Sequence, residues 1–336
     1  ARLGTLATRA QVLRRRLAKA EPDARARRRL WERLLQGPFR RAVLSGAEAE
    51  AERILAAALE AGQRQRTGRV ALIGCGPGDP DLLTLKALQH LQEADVLVVD
   101  RLVDRRIPDY ARRDAERIFV GKTPGEPSTS QAEINRILVR EAKAGKVVVR
   151  LKGGDPFIFG RAAEEMAALQ GADIPVEVVP GVTAAHACAA RVGLPVTLRE
   201  AVRQFSVVTG ATADGMPGLD WHALAAPRAA FAIYMGVGNA SLIRANLLAA
   251  GASPDIRVVI VENGTRESER AVATTLRDLA DCVAQLDLGA PAVILVGLDW
   301  ADAGLQRPAG VAVFERGPLS ALRSIEAPST TAEVHP

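Results

Sequence analysis

The chain has 336 residues, 48% hydrophobic and 25% charged, a globular composition that excludes wholesale disorder and suggests about two domains. No apolar run approaches the ~20 residues of a membrane helix, the strongest being 291–298, and no charged-then-apolar leader opens the sequence. Three scattered cysteines (Cys75, Cys188, Cys282) and four histidines without ligand spacing exclude a disulfide framework and a metal cluster, so no metal is expected and a cytoplasmic setting fits.

Residues 1–69 hold 17 Lys and Arg against 7 Asp and Glu, whereas residues 70–336 hold 27 against 32. The excess of base in the first fifth reads as solvated helical faces rather than a nucleic-acid arm, because aromatics are sparse there (Trp31, Phe39) and stacking on bases needs them. Leu3, Leu6, Leu13, Leu17, Leu30, Leu34 and Leu35 recur at helical spacing, with breaks at 21–23 and 36–38, and a third helix is predicted over about 47–61. Three such helices make a poor core alone. Residues 1–66 are therefore expected to pair with a second copy through Leu13, Leu17, Leu30, Trp31 and Leu34, giving a homodimer.

From Arg69 the pattern alternates between strand and helix. Strands are predicted at 70–73, 96–99, 118–120, 147–151 and 176–179, with helices at 81–93, 131–143, 161–170 and 184–191, the signature of a mostly parallel α/β sheet. Gly193-Leu194-Pro195 reads as a hinge. A second α/β unit comes after it, with strands at 205–208, 230–235, 258–261 and 293–296 and helices near 240–250 and 276–286. Domains are thus expected at 67–196 and 197–302, with 303–336 as an unstructured tail rich in Gly, Pro, Ser and Ala.

Two motifs carry chemistry. Gly74-Cys75-Gly76-Pro77-Gly78-Asp79-Pro80 joins a strand to a helix, and its glycines allow close approach of a ligand. It departs from the dinucleotide fingerprint G-x-G-x-x-G: Pro77 lacks an N–H, and Asp79 would repel a pyrophosphate. A nicotinamide dehydrogenase stays as the competing enzyme class because Asp100 ends the second strand. The second motif, Val149-Arg150-Leu151-Lys152-Gly153-Gly154-Asp155-Pro156-Phe157-Ile158-Phe159-Gly160-Arg161, sits at the end of a parallel strand, where open α/β sheets place ligands.

These two strings stand in order with ADVLVVDRLV, Gly121-Lys122, QAEIN, VEVVPGVTAA, GLPVT, VVTG, Tyr234-Met235-Gly236, VENGT and PAVILVG. Together they resemble the uroporphyrinogen-III C-methyltransferases, a family of tetrapyrrole methylases, over about residues 68–297. RRRLWERL at 27–34 is similar to the dimerisation segment of the siroheme synthases, in which a dehydrogenase/ferrochelatase domain comes first; with Ala1 at its start, the sequence is expected to be the methylase portion of such a chain.

The resemblance implies two α/β domains with S-adenosylmethionine in the cleft between them, leaving as S-adenosylhomocysteine. It implies methylation of two pyrrole carbons of uroporphyrinogen III to precorrin-2, for siroheme and in some organisms cobalamin. By the same motifs, Pro77, Gly153, Gly154, Asp155, Ile158, Thr183, Ala184, Met235 and Gly264 are the implied cofactor contacts. Asp100 is the implied proton acceptor and Lys122 the implied proton donor.

The implied substrate carries eight carboxylates, which arginine forks bind bidentately, so Arg101, Arg150, Lys152, Arg161 and Arg199 are candidate substrate ligands. The sequence departs from the family pattern at Val99, Thr123, Pro127, Ala162, Ala163 and Ala211, mostly on the implied substrate side.

Overall fold

The computed structural model describes residues 13–14, 16–21, 27–28, 30–31, 34–35, 38–64, 68–121, 129–212, 215, 217–289 and 291–314. Helices α1 (Pro38–Ser45) and α2 (Glu48–Arg64) come after the first leucine-bearing helical residues. Leu13, Leu17, Leu30 and Leu34 are each at most 5% exposed, and they pack with Phe39, Ala42, Ala51 and Leu55 into one small core. This corrects the expectation that these leucines face a partner copy. Two further helices close over the stripe, and each leucine so covered contributes roughly 1.5–3 kcal/mol.

Charge ties this small core to the first sheet. Arg28 donates to the buried Asp95 at 3.0 Å, and the other oxygen of Asp95 accepts from Val147 N at 3.0 Å. The helices therefore sit at the pole of that sheet where its strands begin.

The first sheet contains β1 (Arg69–Gly74), β2 (Val96–Val99), β3 (Glu116–Phe119), β4 (Val147–Lys152) and β5 (Val176–Val179), all parallel, in the order β3-β2-β4-β1-β5. β1, β2 and β4 are largely buried along their length because helices cover both faces. The α3 helix (Leu85–Glu93) packs on one face, and α4 (Gln131–Lys143) and α5 (Ala162–Gln170) pack on the other. The helix predicted from residue 81 starts at Leu85, since Thr84 caps it by accepting from Ala87 N at 3.1 Å. Residues 80–82 form a separate 3-10 turn capped by Asp79.

Past α6 (Ala184–Arg191) and Gly193, which takes a left-handed φ of 63°, a mixed sheet begins. It contains β6 (Phe205–Thr209), β7 (Ala230–Tyr234), β8 (Arg257–Glu262), β9 (Arg270–Thr275), β10 (Ala292–Val296) and β11 (Ala312–Val313), in the order β11-β9-β8-β10-β7-β6. Helices α7 (Trp221–Leu224), α8 (Ala240–Ala249) and α9 (Leu279–Gln285) accompany it.

Two strands were not expected. β9 reads RAVATT, and its alanines give little strand signal. β11 corrects the predicted tail: it pairs in parallel with β9, and the flanking Val311 and Phe314 are 2% and 5% exposed. Just upstream, the Trp300 indole donates to Val192 O at 2.8 Å, which holds this last segment against the chain crossing between the sheets. Residues 315–336 lie outside the described residues. No described helix is long and apolar enough to cross a membrane.

Candidate active site

Between the ends of β1, β4 and β5 and the second sheet lies a cavity of about 490 Å³. Gly153 and Gly154 line its floor, and Gly74, Gly76 and Gly181 pack behind them. Gly76 and Gly154 exchange backbone hydrogen bonds at 3.2 and 2.7 Å. A Cβ on Gly74 would stand 2.6 Å from both Gly154 O and Gly181 N. A Cβ on Gly153 would stand 2.9 Å from the Leu102 Cβ, and Gly154 holds a φ of +66°. Three loop backbones thus meet where no side chain fits, and a ligand can approach them closely.

Asp155 fixes this floor. Its Oδ1 accepts from Phe157 N at 2.8 Å and its Oδ2 from Gly181 N at 3.0 Å.

The far wall comes from the second unit. Tyr234 OH lies 2.6 Å from Thr183 Oγ1 and accepts from Ala185 N at 2.7 Å. Burial pushes its phenol above the ordinary range. The Phe159 ring lies 5.3 Å from it. Met235 stands in the left-handed region (φ 54°) and is 52% exposed, so it offers a flexible apolar side chain at the cavity wall. Asn263 and Thr265 are also left-handed, around Gly264. Thr265 Oγ1 accepts from Asp79 N at 3.0 Å, and Arg266 donates to Leu102 O at 2.6 Å. These two bonds clamp loops of the first sheet to the loop after β8. Cys188 lines the cavity, but burial pushes its thiol up to about 12, so it serves packing and not nucleophilic chemistry.

Charge is concentrated at the end of β4. Arg150 and Lys152 are 1% and 3% exposed. Arg150 donates from Nη2 to Asp100 at 2.8 Å, from Nε to Glu165 at 3.1 Å, and from Nη1 to the carbonyls of Val98 and Leu151. Lys152 donates to Glu165 at 3.0 Å, and burial lowers its ammonium below the ordinary lysine range. This corrects the reading of Arg150 as a substrate fork, since four of its five N–H donors are spent on Asp100, Glu165 and the two carbonyls, whereas Lys152 is anchored on Glu165 and stays in the cavity wall. The carboxyl of Asp100 stays 35% exposed at the cavity.

Arg101 lines the mouth and has no ion-pair partner among the described residues. Arg161, also at the mouth, is left-handed (φ 56°) and forks onto Glu164 at 2.7 and 2.8 Å.

Of the predicted residues, the cavity brings together Pro77, Asp100, Arg101, Arg150, Lys152, Gly153, Gly154, Asp155, Ile158, Arg161, Thr183, Ala184, Met235 and Gly264. Arg199 is not among its walls, which corrects its placement. It sits instead in the tight turn closed by the Leu198–Val202 pairing. Lys122, Thr123 and Pro127 lie outside the described residues. Sequence reasoning missed Phe159, Tyr234 and Arg266. A second cavity of about 370 Å³, beside β6 and β7, holds none of the predicted residues. Among the described residues no cluster of three or more His, Cys, Asp or Glu forms a metal site.

Residues 69–280 match the family model of Tetrapyrrole (Corrin/Porphyrin) Methylases. The chain belongs to the tetrapyrrole methylases. Residues 2–59 match the sirohaem synthase dimerisation region. This methylase is 46% identical over 300 residues to the siroheme synthase of Methylococcus capsulatus, covering 88% of this chain and 63% of that one. It is 45% identical over 294 residues to that of Azotobacter vinelandii, again covering 88% and 63%. The chain thus spans less than two thirds of the length of these curated relatives.

Among solved structures it resembles the uroporphyrin-III C-methyltransferase of Thermus thermophilus complexed with S-adenosylhomocysteine, at 41% identity and a TM-score of 0.59, covering 68% of this chain and 92% of that one. It also resembles a cobalt precorrin-4 methyltransferase, at 30% identity and a TM-score of 0.63, covering 70% and 95%.

Proposed function

We propose that this chain methylates two pyrrole carbons of uroporphyrinogen III to precorrin-2, as the S-adenosylmethionine-dependent part of siroheme synthesis. The observation that carries this reading is the glycine floor with an acid, Asp100, and two arginines at its rim. A cavity bounded by bare backbone, with apolar walls such as Ile158, Val237 and Val261, suits a folded nucleoside. When bound, S-adenosylmethionine supplies an electrophilic methyl group.

The chain's own work is positioning. Gly153, Gly154, the Asp155-pinned loop and the adjacent Thr183 and Ala184 would hold the nucleoside, with Met235 and Gly264 opposite. Arg101 and Arg161 would fork onto substrate carboxylates. Asp100 would take the proton that the methylated pyrrole carbon sheds. Residues 67–196 and 197–314 act as the two halves of this cleft.

Incubation with labelled S-adenosylmethionine and fresh uroporphyrinogen III is expected to transfer two methyl groups per substrate. Tight binding of S-adenosylhomocysteine with no transfer would overturn the assignment. The likeness to the precorrin-4 enzyme favours a second reading, methylation of a later corrinoid. The same assay with that substrate decides between them.

Arg161 must exchange Glu164 for a substrate carboxylate. Arg161→Ala is therefore expected to raise KM for uroporphyrinogen about tenfold, as for loss of one charged hydrogen bond. Glu164→Gln is expected to lower it by about two- to fivefold, because the exposed pair it removes is weak. S-adenosylhomocysteine affinity, measured by calorimetry, should stay unchanged in both. An unmoved KM in Arg161→Ala would remove its role.

We infer further that the chain is a homodimer through its first helices. The match to the sirohaem synthase dimerisation region supports this. Because the leucine stripe is covered, the contact falls to the half-buried Trp31, Val43, Ile54 and Leu59 that rim the small core. Light scattering is expected to give a dimer, and Ile54→Glu with Leu59→Glu a monomer. A monomeric unaltered chain would refute the inference.

A further inference from the structure

Glu165 has no part in the methyl-transfer chemistry, yet it is an acid held entirely out of water. It lies in the first turn of α5, is 0% exposed, and stands next to the exposed Glu164. Its Oε1 accepts from three side chains: Lys152 Nζ at 3.0 Å, Arg150 Nε at 3.1 Å and Gln131 Nε2 at 3.2 Å. A buried carboxylate persists only where cations and hydrogen bonds compensate it. Here the compensation leads directly to the cavity. One guanidinium, that of Arg150, touches Glu165 with Nε and Asp100 with Nη2. The guanidinium is a rigid plane, so anchoring Nε on Glu165 fixes the direction in which Nη2 meets Asp100 Oδ2.

The alternation of charge matters as much as the geometry. Arg150 links Asp100 to Glu165, and Glu165 links Arg150 to Lys152, so the two acids divide the two bases between them. The groups facing Asp100 are Arg150 and Lys152 from β4 and the Cys75 thiol after β1. Glu165 stands behind the two cations, and Arg101 is the next residue of the same loop. Burial pushes the Cys75 thiol up to about 12, so it stays neutral beside Asp100. Without the charge of Glu165, Asp100 would be the single anion answering two buried cations.

We propose that Glu165 is a positioning residue for the proton-accepting Asp100, acting through the Arg150 guanidinium, an inference that rests on the methyl-transfer reading. It keeps one oxygen of Asp100 engaged with Arg150 Nη2 and so fixes where the carboxylate meets the substrate carbon.

The test is Glu165→Gln, which keeps volume and removes charge. Its kcat is expected to fall about tenfold or more, part of the 10²–10⁴ that a placed base supplies, with S-adenosylhomocysteine affinity within about twofold of the unaltered chain. KM for uroporphyrinogen is expected to stay within about twofold while kcat falls, because the loss is confined to the placement of Asp100 in the transition state. A general loosening of the site would move KM and cofactor affinity together with kcat. Turnover at the unaltered level, or a loss of turnover accompanied by an equal change in KM and S-adenosylhomocysteine affinity, overturns the proposal.

If the single variant fails to fold, Glu165→Gln combined with Lys152→Met restores the balance of the buried charges. There too kcat is expected to drop, since Arg150 has lost its anchoring carboxylate, and unaltered turnover overturns the proposal. Methyl transfer by the unaltered chain is measured first. Its absence removes the assigned function, whereas transfer that the variants match removes only the role of Glu165.

Discussion

Asp100→Asn is expected to lower methyl-transfer turnover by about 10²–10⁴-fold, with S-adenosylhomocysteine affinity close to that of the unaltered chain. The side chain sits just past β2, where the backbone of Asp100 donates to Leu151 O at 3.1 Å, so its position is set by the sheet and not by a loop. One oxygen holds Arg150, and the amide oxygen of asparagine can keep that bond. What is lost is the lone pair that accepts a proton. Arg150 still has Glu165 as a counter-charge, so the fold has a means to tolerate the change. Asp100→Ala would instead leave the Arg150 Nη2 group facing a void, mixing a stability loss with the chemical one. Calorimetry with S-adenosylhomocysteine separates the cases. If affinity collapses together with turnover, Asp100 contacts the cofactor and the base lies elsewhere.

The cleft was largely legible in the sequence because its floor is made of consecutive residues. Gly74–Pro80 and Arg150–Arg161 are unbroken strings, each at the carboxyl end of a strand, and parallel topology brings such ends to one edge. The far wall was legible only at Met235 and Gly264. Tyr234 is a β7 residue that reads as core, and nothing in its neighbours shows that its hydroxyl crosses to Thr183 and Ala185. Arg266 looks like any surface arginine until Gly78, without a side chain, leaves room for its stem.

The charge misreading has a clear cause. Arg150 and Lys152 are two apart on one strand and so share a face. Face-sharing cations at a strand end suggest a ligand. The competing acid, Glu165, is thirteen residues past Lys152, on the helix that packs over that face. Only the crossover connection brings them together. The leucine stripe of the first helices failed differently: periodicity shows that a face is covered, not whether the same chain or another copy covers it.

Gly181→Ala is expected to be the most damaging single-methyl change directly behind the cavity floor, weakening cofactor binding and lowering stability by about 1–3 kcal/mol or more. A Cβ there would meet Gly154 O and would stand 2.7 Å from Gly74 C and 2.8 Å from Gly74 Cα. All three are backbone atoms, so no side chain can turn aside to make room. Gly74 cannot retreat, because it is the last residue of the interior strand β1, which pairs with both β4 and β5. Gly154 cannot retreat without giving up its paired bonds with Gly76. Relief must come from Gly181 itself, and that movement draws its N–H away from Asp155 Oδ2, the contact that holds the Asp155–Phe157 turn. One methyl group therefore loosens the three loops together. Thermal unfolding should show the loss of stability, and calorimetry should show S-adenosylhomocysteine affinity reduced at least about tenfold, the equivalent of 1.4 kcal/mol. Gly310→Ala is the control. Nothing lies within 4 Å of its added Cβ, so it should stay within about 0.5 kcal/mol of the unaltered chain. Normal affinity in Gly181→Ala would mean that the three loops are not the cofactor's floor.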